Sequence, residues 1–354
     1  MPWHRVRDLV SIAREWRAGP TPRTDHGPVP TTLEEGVTSP MSSARDAANA
    51  DRPSDRSEQI RQFVRGWSIE TTPKGDEKVN DYNDHLHPGT KVAVTFLPGS
   101  DYRDTVRVAA RLRREGFEPA PHIAARSLKN KGELEDFLAR LRGEADVRQV
   151  VALAGAVDNP VGEFSDSMQL LETGLFDKQG IEKIGVAGHP EGSPDISDEA
   201  IMRALKWKNG FAERTDAHVY IVTQFIFEAQ PVIEWDRKIQ AEGNTLPIHI
   251  GVPGLATIKT LLNYARWAGI GNSIQFLTRR AKNVSKLMST NAPDELVSDL
   301  AKYWAEDPNC GIERMHIYPL GGLRKSAAWA NAVVDGDFQF KRDGRGFTVN
   351  RDIG

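Results

Sequence analysis

From about Arg65 onward the chain alternates short apolar runs with longer segments of helical period. The runs are residues 66–71 (GWSIET), 91–97 (KVAVTFL), 118–124 (EPAPHIA), 149–154 (QVVALA), 183–187 (KIGVA), 219–224 (VYIVTQ), 247–252 (PIHIGV) and 313–318 (ERMHIY). Their hydrophobicity is continuous rather than alternating, as in strands covered on both faces. Residues 101–115 place Val106, Ala109, Ala110 and Leu112 on one helical side, and Gly116 ends the pattern. Residues 133–142 repeat the plan with Leu134, Phe137, Leu138 and Leu141. Ser197 and Asp198 open another helix through Ile201, Leu205 and Trp207, and residues 257–267 follow the seventh run. Eight strand–helix units over roughly 250 residues predict an α/β chain closed as a (β/α)8 TIM-type barrel. The competitor, an open doubly wound sheet, usually carries a Gly-rich loop after its first strand, and no G-x-G-x-x-G follows any run. Residues 272–306, two or three helices by pattern, fall between the seventh and eighth strands.

The barrel is expected over residues 58–336. Residues 1–57 form an extension: a weakly amphipathic stretch from Trp3 to Trp16, then a Pro-, Ser- and Asp-rich segment too poor in apolar side chains to offset its ordering entropy. Residues 337–354 read as a mixed-charge tail. A net charge of -3 argues against a nucleic-acid partner, which would want a basic face. A single cysteine, Cys310, leaves no intrachain disulfide, and no apolar run nears the roughly 20 residues of a membrane span. With no secretory h-region after the N-terminus, a cytoplasmic location is the expectation.

Barrel sites lie at the C-terminal ends of the strands. That rule selects Glu70, Thr95, His122, Gly155 to Asp158, His189 and Glu191, Gln224 and Glu228, and Tyr318 to Gly322. Glu70 is the sharpest, a carboxylate in an otherwise apolar strand. Burial in a barrel mouth would let such a group hold a proton and act as a general acid. His122 could face a phosphate or a flavin edge, but a lone histidine there is more often structural. No H-E-x-x-H, clustered Cys/His, G-x-S-x-G or P-loop pattern occurs, so neither a protein-ligated metal nor a motif-borne nucleophile is expected.

Eight short motifs in order over residues 66–329 resemble the methylenetetrahydrofolate reductase family. Residues 68–73 (SIETTP) resemble its S-F-E-F-F-P, 94–96 (VTF) its V-T-Y, and 120–123 (APHI) its A-P-H-L. Residues 187–194 (AGHPEGSP) are similar to A-x-Y-P-E-x-H-P, 205–208 (LKWK) to L-K-x-K, and 223–228 (TQFIFE) to T-Q-F-F-F-D. Pro253-Gly254 and His316-Ile317-Tyr318 match P-G and H-F-Y. The resemblance implies a short form without a regulatory domain that uses FAD and interconverts 5,10-methylenetetrahydrofolate and 5-methyltetrahydrofolate. It implies Glu70 as the acid that protonates folate N10 and Gln224 as the pterin-holding amide. It implies Thr95, His122, Gly155, Asp158, Ala187, His189 and Lys208 along the flavin. It leaves NADH, NADPH or a redox partner open as the electron partner, and a homo-oligomer open as the assembly.

The sequence departs from the family at three places. The fourth strand ends Leu153-Ala154-Gly155-Ala156 where the family has L-R-G-D, so that either Asp158, two residues later, substitutes or the charge is absent. Removing a negative charge beside a flavin raises its potential, which favours the oxidising direction, as in demethylation or one-carbon recycling. Ser193 and Ile201 replace a His and an Asp that the family places around adenosine, and residues 211–218 hold four extra positions. Two rivals remain: a folate-binding methyltransferase-type barrel without flavin, and a non-catalytic barrel homologue.

Overall fold

The computed structural model describes residues 55–193, 196–268, 274–275, 277–278 and 288–353. Most of the expected N-terminal extension, residues 1–54, and most of the insert before Asp294 lie outside the described residues.

Eight strands close a parallel barrel. They are β1 (Ser68–Thr71), β2 (Lys91–Val94), β3 (Glu118–Ala124), β4 (Gln149–Leu153), β5 (Lys183–Gly188), β6 (His218–Phe225), β7 (Ile248–Pro253) and β8 (Ile312–Tyr318). Each pairs with its sequence neighbour, and β8 closes on β1 through Ser68↔His316 and Ile69↔Ile317. The strands are buried nearly end to end, which is why their sequences run apolar without alternation. One irregularity breaks the ladder. Val222 pairs with His249 but Phe225 with Gly251, so β6 carries an extra residue against β7.

The longer helices are α1 (Arg56–Val64), α2 (Tyr102–Arg114), α3 (Lys131–Ala145), α4 (Asp198–Ala212), α5 (Ala229–Ala241), α6 (Ile258–Ala268), α7 (Asp294–Glu306) and α8 (Leu323–Asp335). Side-chain caps start many of them. Asp101 accepts from Arg103 N, Asn130 from Glu133 N, and Ser197 from Ala200 N. The apolar stripe read on residues 101–115 faces inward: Val106, Ala109 and Leu112 are fully or almost fully buried. Between β4 and β5 the crossover is made of two short pieces, Ser167–Glu172 and Leu175–Lys178.

Two boundaries differ from the sequence reading. Helix α1 starts at Arg56, inside the expected extension, because Asp55 caps it and Ile60, Phe63 and Val64 pack into the core. The expected C-terminal tail folds back as a hairpin of Phe338–Phe340 against Phe347–Val349. Phe347 is fully buried and stacks on Trp329 at 6.0 Å, while Lys341 pairs with the Asp294 carboxylate at 3.3 Å. Burying one phenylalanine contributes about 2 kcal/mol, enough to hold a short segment that carries mixed charge elsewhere.

Candidate functional site

Strand pleating puts alternate residues on one face, so Ser68 and Glu70 share a side of β1, and His316 and Tyr318 share a side of β8. The β1–β8 register sets Ser68 against His316. The result is a buried polar chain. Ser68 Oγ lies 2.8 Å from His316 Nδ1, and His316 Nε2 lies 3.3 Å from Glu70 Oε1. Thr95, just past β2, donates from Oγ1 to Glu70 Oε2 at 3.3 Å. His122 on β3 brings Nε2 to 3.5 Å from the same Oε1. Glu70, Thr95, His122, Ser68 and His316 are all almost completely excluded from solvent.

Burial pushes the His122 pKa down to about 4, against the pull of Glu70. His122 is therefore a neutral imidazole at neutral pH, and its Nδ1 is buried without a hydrogen-bond partner. Burial, reinforced by Glu70, keeps the Tyr318 phenol protonated, and it donates to the Thr223 carbonyl at 2.8 Å. Next along β6, Gln224 is buried at the strand end. Its Oε1 accepts from Phe225 N at 3.0 Å, and its Nε2 has no partner. A buried amide donor left unpaired costs about 1–3 kcal/mol unless something fills it. Two such orphans on strand ends of one barrel mouth are what a site for a polar ligand requires.

The other selected residues lie around the same mouth. Lys208 of α4 is buried and donates from Nζ to the Ala187 carbonyl on β5 at 2.9 Å. His189 is buried just past β5. Gly155 follows β4 with φ +97°, and a Cβ there would stand 3.1 Å from the Ala124 Cβ. The sequence therefore has glycine at a turn no other residue adopts readily. Asp158, two residues past Ala156, is exposed on the loop beyond, while Ala154 is fully buried. Glu191 and Glu228 are half-buried at loop positions.

Strand ends alone did not select Ser68 or His316. The usable signal was the i, i+2 spacing of polar residues, Ser68 with Glu70 and His316 with Tyr318, in strands otherwise apolar.

The chain is 28% identical over 200 residues to methylenetetrahydrofolate reductase 1 of Schizosaccharomyces pombe, covering 53% of this chain and 31% of that protein. It is 29% identical over 118 residues to methylenetetrahydrofolate reductase 2 of Saccharomyces cerevisiae, covering 33% and 18%. Each match thus spans under a third of the relative's length. A solved protein from Clostridium thermocellum, described as binding two copies of 5-methyl-5,6,7,8-tetrahydrofolic acid, is similar at 11% identity and TM-score 0.45, over 79% of this chain and 96% of that one. The methylenetetrahydrofolate reductase family model matches residues 67–321, which run from the start of β1 past the end of β8 and take in the whole polar cluster. That match covers well over half of the chain, and the chain belongs to the methylenetetrahydrofolate reductase family.

Proposed function

We propose that the protein interconverts 5,10-methylenetetrahydrofolate and 5-methyltetrahydrofolate with a bound flavin, FAD by family, and that it favours the oxidising direction. The observation that carries this reading is Glu70: a carboxyl buried in the barrel mouth, held by Thr95 and His316 and faced by His122. A bound flavin would supply hydride transfer at the one-carbon unit. Glu70 would deliver the proton to folate N10 in one direction and recover it in the other. His316 suits both states of that carboxyl. With Glu70 ionised, Nε2–H donates to it and Nδ1 accepts from the Ser68 hydroxyl; with Glu70 protonated, the imidazole can accept instead. Gln224 Nε2 would bind the pterin edge. Thr95, His122, Gly155, Ala187, His189 and Lys208 would line the flavin, and the orphaned His122 Nδ1 fits a polar ring edge. Asp158 would reach it only from the exposed loop.

The preferred direction follows from β4. Ala156 leaves that strand end without the family's Asp, so a reduced, anionic flavin meets less repulsion there. NADH, NADPH or a redox protein would be the electron partner. The test is anaerobic mixing of the purified protein with 5-methyltetrahydrofolate while the flavin band at about 450 nm is followed. Bleaching that vanishes in Glu70→Gln with the flavin retained supports the reaction and the acid together. A colourless protein that binds the folate would instead be a methyltransferase-type barrel, and one that binds neither would be a non-catalytic homologue.

A further inference from the structure

The irregular pairing of β6 with β7 sits at Thr223 and Gln224, next to the orphaned amide. A bulge frees backbone groups from the ladder, and buried ones need new partners. Here side chains supply them. The Thr223 hydroxyl accepts from Gly251 N at 2.8 Å and donates to the Gln224 carbonyl at 2.9 Å. Tyr318 reaches over from β8 and donates to the Thr223 carbonyl at 2.8 Å. The Gln224 side-chain oxygen takes the Phe225 N–H. On β7, a Cβ at Gly251 would stand 2.7 Å from both the Thr223 and Gln224 carbonyls and 2.8 Å from the Tyr318 ring, so only glycine admits this arrangement.

The Phe225 N–H can only be met by an acceptor, which fixes which way the Gln224 amide is turned. Its oxygen is committed to the backbone, and Nε2 is left as the free, buried donor. We infer that Thr223, Gly251 and Tyr318 are positioning residues that hold the β6 bulge, and that the bulge presents Gln224 to ligand by its donor end alone. The ligand atom read at this point is therefore a hydrogen-bond acceptor, a carbonyl oxygen or an unprotonated ring nitrogen. This deepens the proposed folate site and rests on it.

The experiment is anaerobic titration of the purified holoprotein with 5-methyltetrahydrofolate, with the single-turnover bleaching rate measured at saturation. Thr223→Val and Tyr318→Phe each remove one hydroxyl, and each should raise Kd about tenfold while the saturated rate changes less than about twofold. Thr223→Ser should restore affinity, which general damage to the core would not allow. In a Gln224→Ala background, Thr223→Val should add nothing further. Wild-type affinity in both hydroxyl variants, or an equal loss with and without Gln224, overturns the clamp. Wild-type affinity in Gln224→Ala itself overturns the folate reading of the strand end, and the clamp's role with it. Should Thr223→Val not fold, Tyr318→Phe decides the question by the same measurements.

Discussion

The two mouths of the barrel are built from similar residues and end in opposite states. At the N-terminal mouth, the Tyr220 ring lies on His249 at 4.1 Å and Lys91 sits over Tyr220 at 4.9 Å. His249 Nε2 is 3.7 Å from Glu313, which also meets Arg314 at 3.5 Å, and Arg314 caps the Gly66 carbonyl at 2.9 Å. This end is closed on itself. At the C-terminal mouth, Glu70 and two histidines form a more deeply buried cluster, yet His122 Nδ1 and Gln224 Nε2 are left without partners. A His–Glu pair is thus no sign of chemistry by itself. What separates the two mouths is the polar valence left unfilled at the C-terminal one.

The largest effect expected from that contrast is at Glu70. Removing a general acid costs about 10²- to 10⁴-fold in rate. Glu70→Gln, which keeps the shape and one acceptor oxygen but cannot give up a proton, should lose that much of the bleaching rate with flavin retained. A variant within about threefold of wild type would place the proton transfer elsewhere. Next comes a pH effect that both mouths share. Burial lowers both His122 and His249 below the ordinary histidine range, His122 to about 4. Below the ordinary pKa of 6.5 the unfolded chain takes up protons that the folded chain refuses. Stability is therefore full above pH 6.5 and falls as pH drops towards the folded values. For His122 the loss between pH 7 and pH 5 is about 2 kcal/mol. Denaturant titrations at the two pH values should show a gap that narrows by about this amount in His122→Gln and does not close, because His249 remains. An unchanged gap would mean that His122 is solvated in the folded protein.

The barrel was legible because strands covered on both faces must be apolar throughout, and all eight runs became strands within a few residues of their read limits. The strand-end rule and the family motifs then found Glu70, Thr95, His122 and Gln224. They did not give the Ser68–His316 chain a role, because that pairing depends on how β8 closes on β1, a register no local pattern states. The β6 bulge was hidden for a similar reason. Residues 223–225 read as plain strand, and only the offset against Gly251 reveals the extra residue. At the C-terminal end, composition misled. The mixed charge of residues 337–354 looked like a tail, yet Phe338 and Phe347 meet at 4.8 Å and one of them is fully buried.

The missing β4 charges sharpen the site side of the comparison. If direction is set there, Ala156→Asp should lower the flavin midpoint potential by roughly 30 mV, equivalent to about 1.4 kcal/mol for a two-electron couple. Asp158→Asn, at an exposed position, should move it far less, since solvent screens that charge. Spectroelectrochemical titration measures both, and a larger shift from Asp158 would make it the working replacement for the lost carboxylate.

The smallest effect is expected at the closed mouth. Glu313 is held below the usual carboxylate range chiefly by the neighbouring His249 imidazole, 3.7 Å away, then by Arg314, but its side chain is nearly half exposed. Solvent screening reduces what the pair contributes, so Glu313→Gln should cost no more than about 1 kcal/mol of stability. Because the folded carboxyl pKa is depressed, that contribution is present above the ordinary carboxylate range and vanishes as pH falls through the folded value. The variant's deficit should therefore be visible at neutral pH and shrink towards pH 2. Methyltetrahydrofolate affinity and bleaching rate should be unchanged, since Glu313 sits at the opposite end of β8 from Tyr318. A Glu313→Gln protein with wild-type stability and impaired bleaching would show that the two mouths are coupled through β8, and the division between site and scaffold would fail.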